Sequence, residues 1–196
     1  MDKKKIASGI SAVLNAPLIT VITFLPLIFT FGSDMILQLV GITSLFGCFL
    51  PVLGVLIMLK IGVIKDFFAT KRETRIIPFL WSIASYLLGI FALILVDAPP
   101  AVTALMTCYF INGIVLLFIT LKWKISIHAS GVTSPVTALV YLLGNAMLPF
   151  FLLVLPVAWA RLELKAHDKL QVTVGAILSS VLTWIQIGFY VNYLFL

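Results

Sequence analysis

The chain reads as an all-α protein, a polytopic membrane bundle of about seven spanning helices, with six as the alternative count. Three observations predict it. Mean hydropathy is +1.22, and 62% of the 196 residues are hydrophobic against 10% charged. Uncharged runs recur along the whole length, each close to the roughly 20 residues that a bilayer core demands of a helix. Those runs are unbroken, whereas the strands of a membrane barrel would alternate polar and apolar residues.

The elements follow in order. The start, "MDKKKIASGISAVLNAPLITVITFLPLIFTFGS", has the basic opening of a signal peptide. Its apolar stretch is too long for one and lacks a small-x-small cleavage pattern, so it is expected to be a retained first span at 6–33. The second span, 35–59, lies between Asp34 and Lys60. The connector "KIGVIKDFFATKRETR" leads into a third span at 76–95. Asp97, Pro99 and Pro100 make a tight turn, because proline cannot continue the helical ladder, and a fourth span follows at 101–121.

Between Ile125 and Ala160 there is no Asp, Glu, Lys or Arg, and His128 is the one histidine. As one helix that segment would be roughly 54 Å long, against about 30 Å for one crossing. "GNAMLP" supplies the break, which gives a fifth span at 127–144 and a sixth at 146–163. The last runs from 170 to the C-terminus. Cys48 and Cys108 sit inside apolar runs and are expected to be packed thiols. Trp123 and Trp159 have the placing of interfacial belt residues. Asn15, Asn112 and Asn145 suit interhelical hydrogen bonds or helix breaks. The whole chain, 1–196, is expected to form a single transmembrane domain.

Parity supports the count of seven. It puts all 13 lysines and arginines on one membrane face, and leaves Asp34 and Asp97 on the other. Three charged segments then converge at one surface, within 65–78, 124–131 and 160–171. One reading is that they are ordinary positive loops flanking the spans. The other is an anion site. Both histidines of the chain, His128 and His167, stand at span edges on the same face. Cations neutralise phosphoryl oxygens, one imidazole can attack phosphorus, and the second can protonate the leaving oxygen.

The spacing is specific. "KDFFATKR" gives Lys65, six residues, then Arg72; "ISIH" gives Ser126 and His128; "ARLELKAHDKLQ" gives Arg161, five residues, then His167. In this order the array resembles the type 2 phosphatidic acid phosphatase family, membrane lipid phosphate phosphatases with a haloperoxidase-like site. The sequence departs from the family pattern at several places. Glu73 replaces a proline after Arg72, Ile125 and Ile127 replace Pro and Gly, Ala160 replaces a serine, and Gln171 replaces the aspartate that orients the nucleophile.

The resemblance implies hydrolysis of a membrane lipid phosphate or isoprenoid (di)phosphate through a phosphohistidine. It implies His167 as nucleophile and His128 as acid and base, with Arg161, Arg72, Lys65 and Ser126 on the phosphate oxygens. Arg75 is held in reserve for that task, three residues beyond Arg72. Gln171, one turn past His167, is expected to hold its Nδ1 hydrogen, although an amide cannot stabilise an imidazolium as an anion would. Glu163, if the helix reaches it, is an alternative. No cofactor and no metal is expected, since the cations supply the charge. The expected partners are the lipid substrate and the bilayer, with no nucleic acid. A lipid phosphotransferase of the same family is one rival; a non-catalytic anionic-lipid-binding protein or transporter is another. The basic residues outside the motifs, Lys3, Lys4, Lys5, Lys60, Lys122 and Lys169, place the site on the cytoplasmic face of a plasma (inner) membrane.

Overall fold

The structure is a computed structural model and describes residues 2–67 and 72–194, without the side chain of Leu194. Among these residues it is an all-helical membrane bundle. Helices α1 (Lys3–Val13) and α2 (Ala16–Phe31) are followed by α3 (Ile36–Ser44), α4 (Leu50–Lys60) and α5 (Ile76–Leu95). Next come α6 (Pro100–Lys122), α7 (Ile127–Leu143), α8 (Val154–Glu163) and α9 (Lys169–Phe189). Short 3-10 turns precede α3, α5 and α8. A wider turn at Leu45–Phe49 joins α3 to α4. Such π-type turns release carbonyls from the ladder, and here Ser85 Oγ donates to the Phe46 carbonyl at 2.7 Å.

Five stretches among the described residues are long and apolar enough to cross a bilayer: Ser33–Lys60, Arg72–Leu95, Pro100–Lys122, Asn145–Glu163 and Lys169–Tyr193. The expected first span is not one straight helix, because α1 and α2 meet at a 47° bend. Asn15 explains the break. Its Oδ1 accepts from the Leu18 amide at 3.0 Å to cap α2, and its Nδ2 donates back to the Ala12 carbonyl at 2.8 Å. Pro17 in the first turn of α2 suits a helix start, where its missing N–H costs nothing. Counted as one bent span, this pair brings the number to six.

The seventh segment is α7, whose 17 residues give roughly 25 Å of helix. It is the buried axis of the bundle: every residue from Ala129 to Val140 is buried. It packs chiefly on α9 and α2. Gly144 ends it with φ +88 and ψ −175, a conformation open only to glycine, and the chain turns into the next crossing at "GNAMLP".

Several polar groups inside the bundle satisfy one another, which matters most away from water. Asn112 Nδ2 donates to Ser134 Oγ at 2.9 Å and to Thr183 Oγ1 at 2.8 Å. Gln186 Nε2 donates to Asn112 Oδ1 at 2.8 Å. This rung ties α6, α7 and α9 together. Nearer the basic face, Ser130 Oγ donates to the Gly175 carbonyl at 3.0 Å and Thr133 Oγ1 to Ala176 at 2.9 Å. A Cβ on Gly175 would meet the Ser126 carbonyl at 2.8 Å, so α9 lies against the start of α7 at glycine distance. The first turns of α7 and α9, which carry His128 and Gln171, are therefore held as one unit.

Candidate active site

Arg161 and His167 are brought together by the way α8 ends. The Ala166 amide donates to the Arg161 carbonyl at 3.0 Å, and the Lys165 amide to the Leu162 carbonyl at 2.9 Å. Together they form a Schellman motif, with Lys165 in the left-handed region at φ 51. The His167 amide also reaches the Arg161 carbonyl, at 3.3 Å. A five-residue spacing thus becomes a tight reversal that returns the histidine to its own arginine.

The next helix begins at once. Asp168 caps α9, its Oδ1 accepting from the Gln171 amide at 2.8 Å. That makes Gln171 the third helical residue, the position from which a side chain reaches back over the helix start. It reaches His167: Gln171 Oε1 lies 2.9 Å from Nδ1. An amide oxygen can only accept, so Nδ1 carries the hydrogen and the lone pair sits on Nε2. Because α8 stops at Glu163, Glu163 does not lie one helical turn before His167. Asp168 is spent on the cap.

His128 stands in the first turn of α7, which Ser126 caps through an Oγ contact of 3.4 Å to the Ala129 amide. Its ring is hydrogen-bonded to the main chain of Ser11 on α1. The same serine's Oγ accepts from Arg161 Nη1 at 3.3 Å, so α1 supplies a partner to both an imidazole and a guanidinium. Arg75 ends the 3-10 turn before α5. It is only 3% exposed, and its Nη1 donates to the Ile125 carbonyl at 3.2 Å.

Arg75, Arg161, His128 and His167 line one cavity of about 140 Å³, together with Asn15, Phe67 and Ser82. Lys124, half-buried just outside α7, is within electrostatic reach of Arg75, Arg161 and His167. Asp66 acts on all three cations from the opposite sign. Burial first, then the charges of Arg75 and Arg161, push the His167 pKa down to about 3 against the pull of the Gln171 bond. Near neutral pH the ring is uncharged. Lys124 is also shifted down, by burial and by the same two arginines. The cavity wall therefore offers two permanent cations, a third alongside, and a neutral imidazole with an Nε2 lone pair. Such a wall has the chemistry to hold a tetrahedral oxyanion.

The other residues singled out from the sequence lie elsewhere. Lys65 is exposed on a non-helical stretch. Arg72 donates to the Lys122 carbonyl at 2.7 Å and pairs with Glu73 at 3.4 Å on the surface. On a continuous helix Lys65 and Arg72, seven residues apart, would share one face. Residues 61–67 form no helix, Arg72–Arg75 is a 3-10 turn, and 68–71 lie outside the described residues. Arg75, the reserve, is the arginine of this segment that reaches the cavity. Ser126 is fully buried with its hydroxyl on the helix cap. Ser11, Asp66 and Lys124 were not among the expected site residues. Only Lys124 had a sequence signal, two residues before Ser126 in the same motif. Among the described residues no three His, Cys, Asp or Glu side chains group closely enough to hold a metal ion. Searches against protein-family models, curated proteins and solved structures find no match to this chain.

Proposed function

We propose that this protein is a membrane-embedded phosphatase that hydrolyses a lipid phosphate or isoprenoid (di)phosphate through a phosphohistidine. The observation that carries the reading is the shared cavity of His167, His128, Arg161 and Arg75, with Gln171 Oε1 2.9 Å from His167 Nδ1.

In the first step His167 Nε2 attacks phosphorus, the P–N bond forms and the P–O bond to the lipid breaks. His128 relays a proton that the substrate brings in on its phosphate monoanion, giving it to the leaving oxygen. In the second step His128 takes a proton from water as the water oxygen attacks phosphorus. The P–N bond then breaks, the electron pair returns to Nε2, and inorganic phosphate leaves. Positioning and charge stabilisation do most of the work in phosphoryl transfer. Arg161 and Arg75 hold the equatorial oxygens, where a planar guanidinium binds in a bidentate way, and Lys124 adds a third positive charge. The resemblance to the type 2 phosphatidic acid phosphatases supports the same roles for both histidines and Arg161. Here Arg75 takes the part that the resemblance implied for Lys65 and Arg72.

The site faces the cytoplasm from a plasma (inner) membrane, because Lys3, Lys4 and Lys5 lie on its side without a catalytic task. Release of inorganic phosphate from alkyl phosphates by the detergent-solubilised protein, with and without His167→Ala, tests the reading. Adding a hydroxyl acceptor to the same assay exposes phosphotransfer.

A further inference from the structure

A second cavity, about 180 Å³, lies beside the first and reaches into the middle of the bundle. The two share Ala16, Pro17, Phe67, Arg75, Ser82 and Ile127. Beyond these shared residues the walls are largely apolar, with Pro78, Phe79, Ile83 and Leu116 among them. At the far end stand Tyr86 and Tyr109, their ring centroids 5.6 Å apart. Arg75 is the one charged residue among those the two cavities share.

Most polar groups lining this cavity are already partnered, the buried Ser179 hydroxyl being an exception. Tyr109 OH lies 3.3 Å from Thr23 Oγ1. Both amide hydrogens of Asn112 are given to Ser134 and Thr183, and its oxygen accepts from Gln186. Satisfied groups present little to water, so an apolar chain fills such a space better than solvent does. Its depth can be read along the helices. From Ile127 to Ser134 on α7, and from Pro78 to Tyr86 on α5, the lining residues span roughly 10 to 12 Å. An extended chain advances about 1.2 Å per bond, judged from an extended backbone. The space therefore takes about ten carbons.

Resting on the phosphatase reading, we infer that the substrate carries its phosphate on a single alkyl or isoprenyl chain whose first ten or so carbons enter this second cavity past Arg75. Tyr86 and Tyr109 form the floor that sets how much chain is accepted. The same polar–apolar junction orients the ester oxygen, since a phosphate held by Arg75 and Arg161 leaves the chain one exit, past the residues that the two cavities share.

The test is a length series of n-alkyl phosphates from butyl to hexadecyl. Turnover is measured on the full-length protein in detergent, together with calorimetric binding of butyl- and decylphosphonate. In the unaltered protein kcat/KM rises with length to about ten carbons and then levels. Decylphosphonate binds at least tenfold more tightly than butylphosphonate. Ile83→Phe, at mid-depth and away from the phosphate, removes the decyl advantage while butyl phosphate is turned over as before. Tyr86→Ala moves the plateau to longer chains. Two results overturn the inference: the same length dependence in Ile83→Phe as in the unaltered protein, or no length dependence at all. If butyl phosphate is not hydrolysed but decylphosphonate still binds in an Ile83-dependent way, the phosphatase reading fails and the chain cavity stands. Should Ile83→Phe not fold, the plateau in Tyr86→Ala decides.

Discussion

The Gln171 amide oxygen sits 2.9 Å from His167 Nδ1, and the same residue's backbone amide is held by Asp168 at 2.8 Å. One helix start thus fixes both the tautomer and the direction of the imidazole. In the proposed mechanism Gln171→Leu lowers turnover by roughly 10²-fold or more, because the ring then loses the contact that selects Nδ1–H. Gln171→Asp holds or raises turnover, since a carboxylate also stabilises positive charge on the ring. Steady-state kinetics of the two variants check this; loss of activity in a well-folded Gln171→Asp protein would count against the orienting role.

The pH dependence has a definite sign. Burial and the neighbouring arginines hold the His167 pKa near 3, below the ordinary 6.5. Between those values the unfolded chain binds the proton and the folded protein does not. Stability therefore rises with pH across that window and is lost as pH falls from about 6.5. Gln171→Asp places an anion beside the ring, raises its pKa and narrows the window. Thermal unfolding in detergent between pH 4 and 7 is expected to show a shallower acid loss in Gln171→Asp. An acid loss at least as steep as in the unaltered protein contradicts it.

Arg75 and Arg72 separate sharply. Arg75 is buried at the cavity, whereas Arg72 is spent on the Lys122 carbonyl and Glu73 at the surface. Arg75→Met is expected to lower kcat/KM by roughly 10²- to 10³-fold, the scale of losing one pre-positioned oxyanion donor. Arg72→Met is expected to change it less than about fivefold, since an exposed ion pair contributes little. Equal effects of the two substitutions would place the phosphate elsewhere.

What the sequence made legible, and what it hid, follows from how far each contact reaches along the chain. Arg161, His167 and Gln171 could be read together because a helix end, a reversal and a helix start occupy eleven residues, and their geometry follows from local rules. The spans were legible through their missing charges, down to the break at Gly144. The bend between α1 and α2 was not, although Asn15 and Pro17 carry its chemistry, because the apolar run continues past them. Lys65 and Arg72 misled because a seven-residue spacing places side chains only if the backbone is helical, and here residues 61–67 are not. Ser11 left no signal at all. It meets Arg161 across 150 positions of sequence, and only the packing of α1 on α8 makes them neighbours.

Lys165 offers a separate test of the reversal. Its φ of 51 costs a side-chain-bearing residue about 1 kcal/mol that glycine does not incur. Lys165→Gly is expected to raise thermal stability and leave turnover unchanged, because Lys165 itself is exposed. A fall in stability would mean that the lysine side chain makes a contact worth more than the strain.

Orientation is checked by labelling. In a background of Cys48→Ser and Cys108→Ser, an impermeant thiol reagent on intact cells is expected to label Ala98→Cys and not Lys4→Cys. The reverse pattern moves the chemistry to the outer surface.

The central claim is the covalent bond from His167 to phosphorus. Acid-quenched protein, mixed briefly with a radiolabelled alkyl phosphate, is expected to carry label that is stable in base and lost in mild acid. Peptide mass spectrometry should place it on His167, with no label in His167→Ala. Ordinary turnover by His167→Ala, or a label on any other residue, would contradict the account.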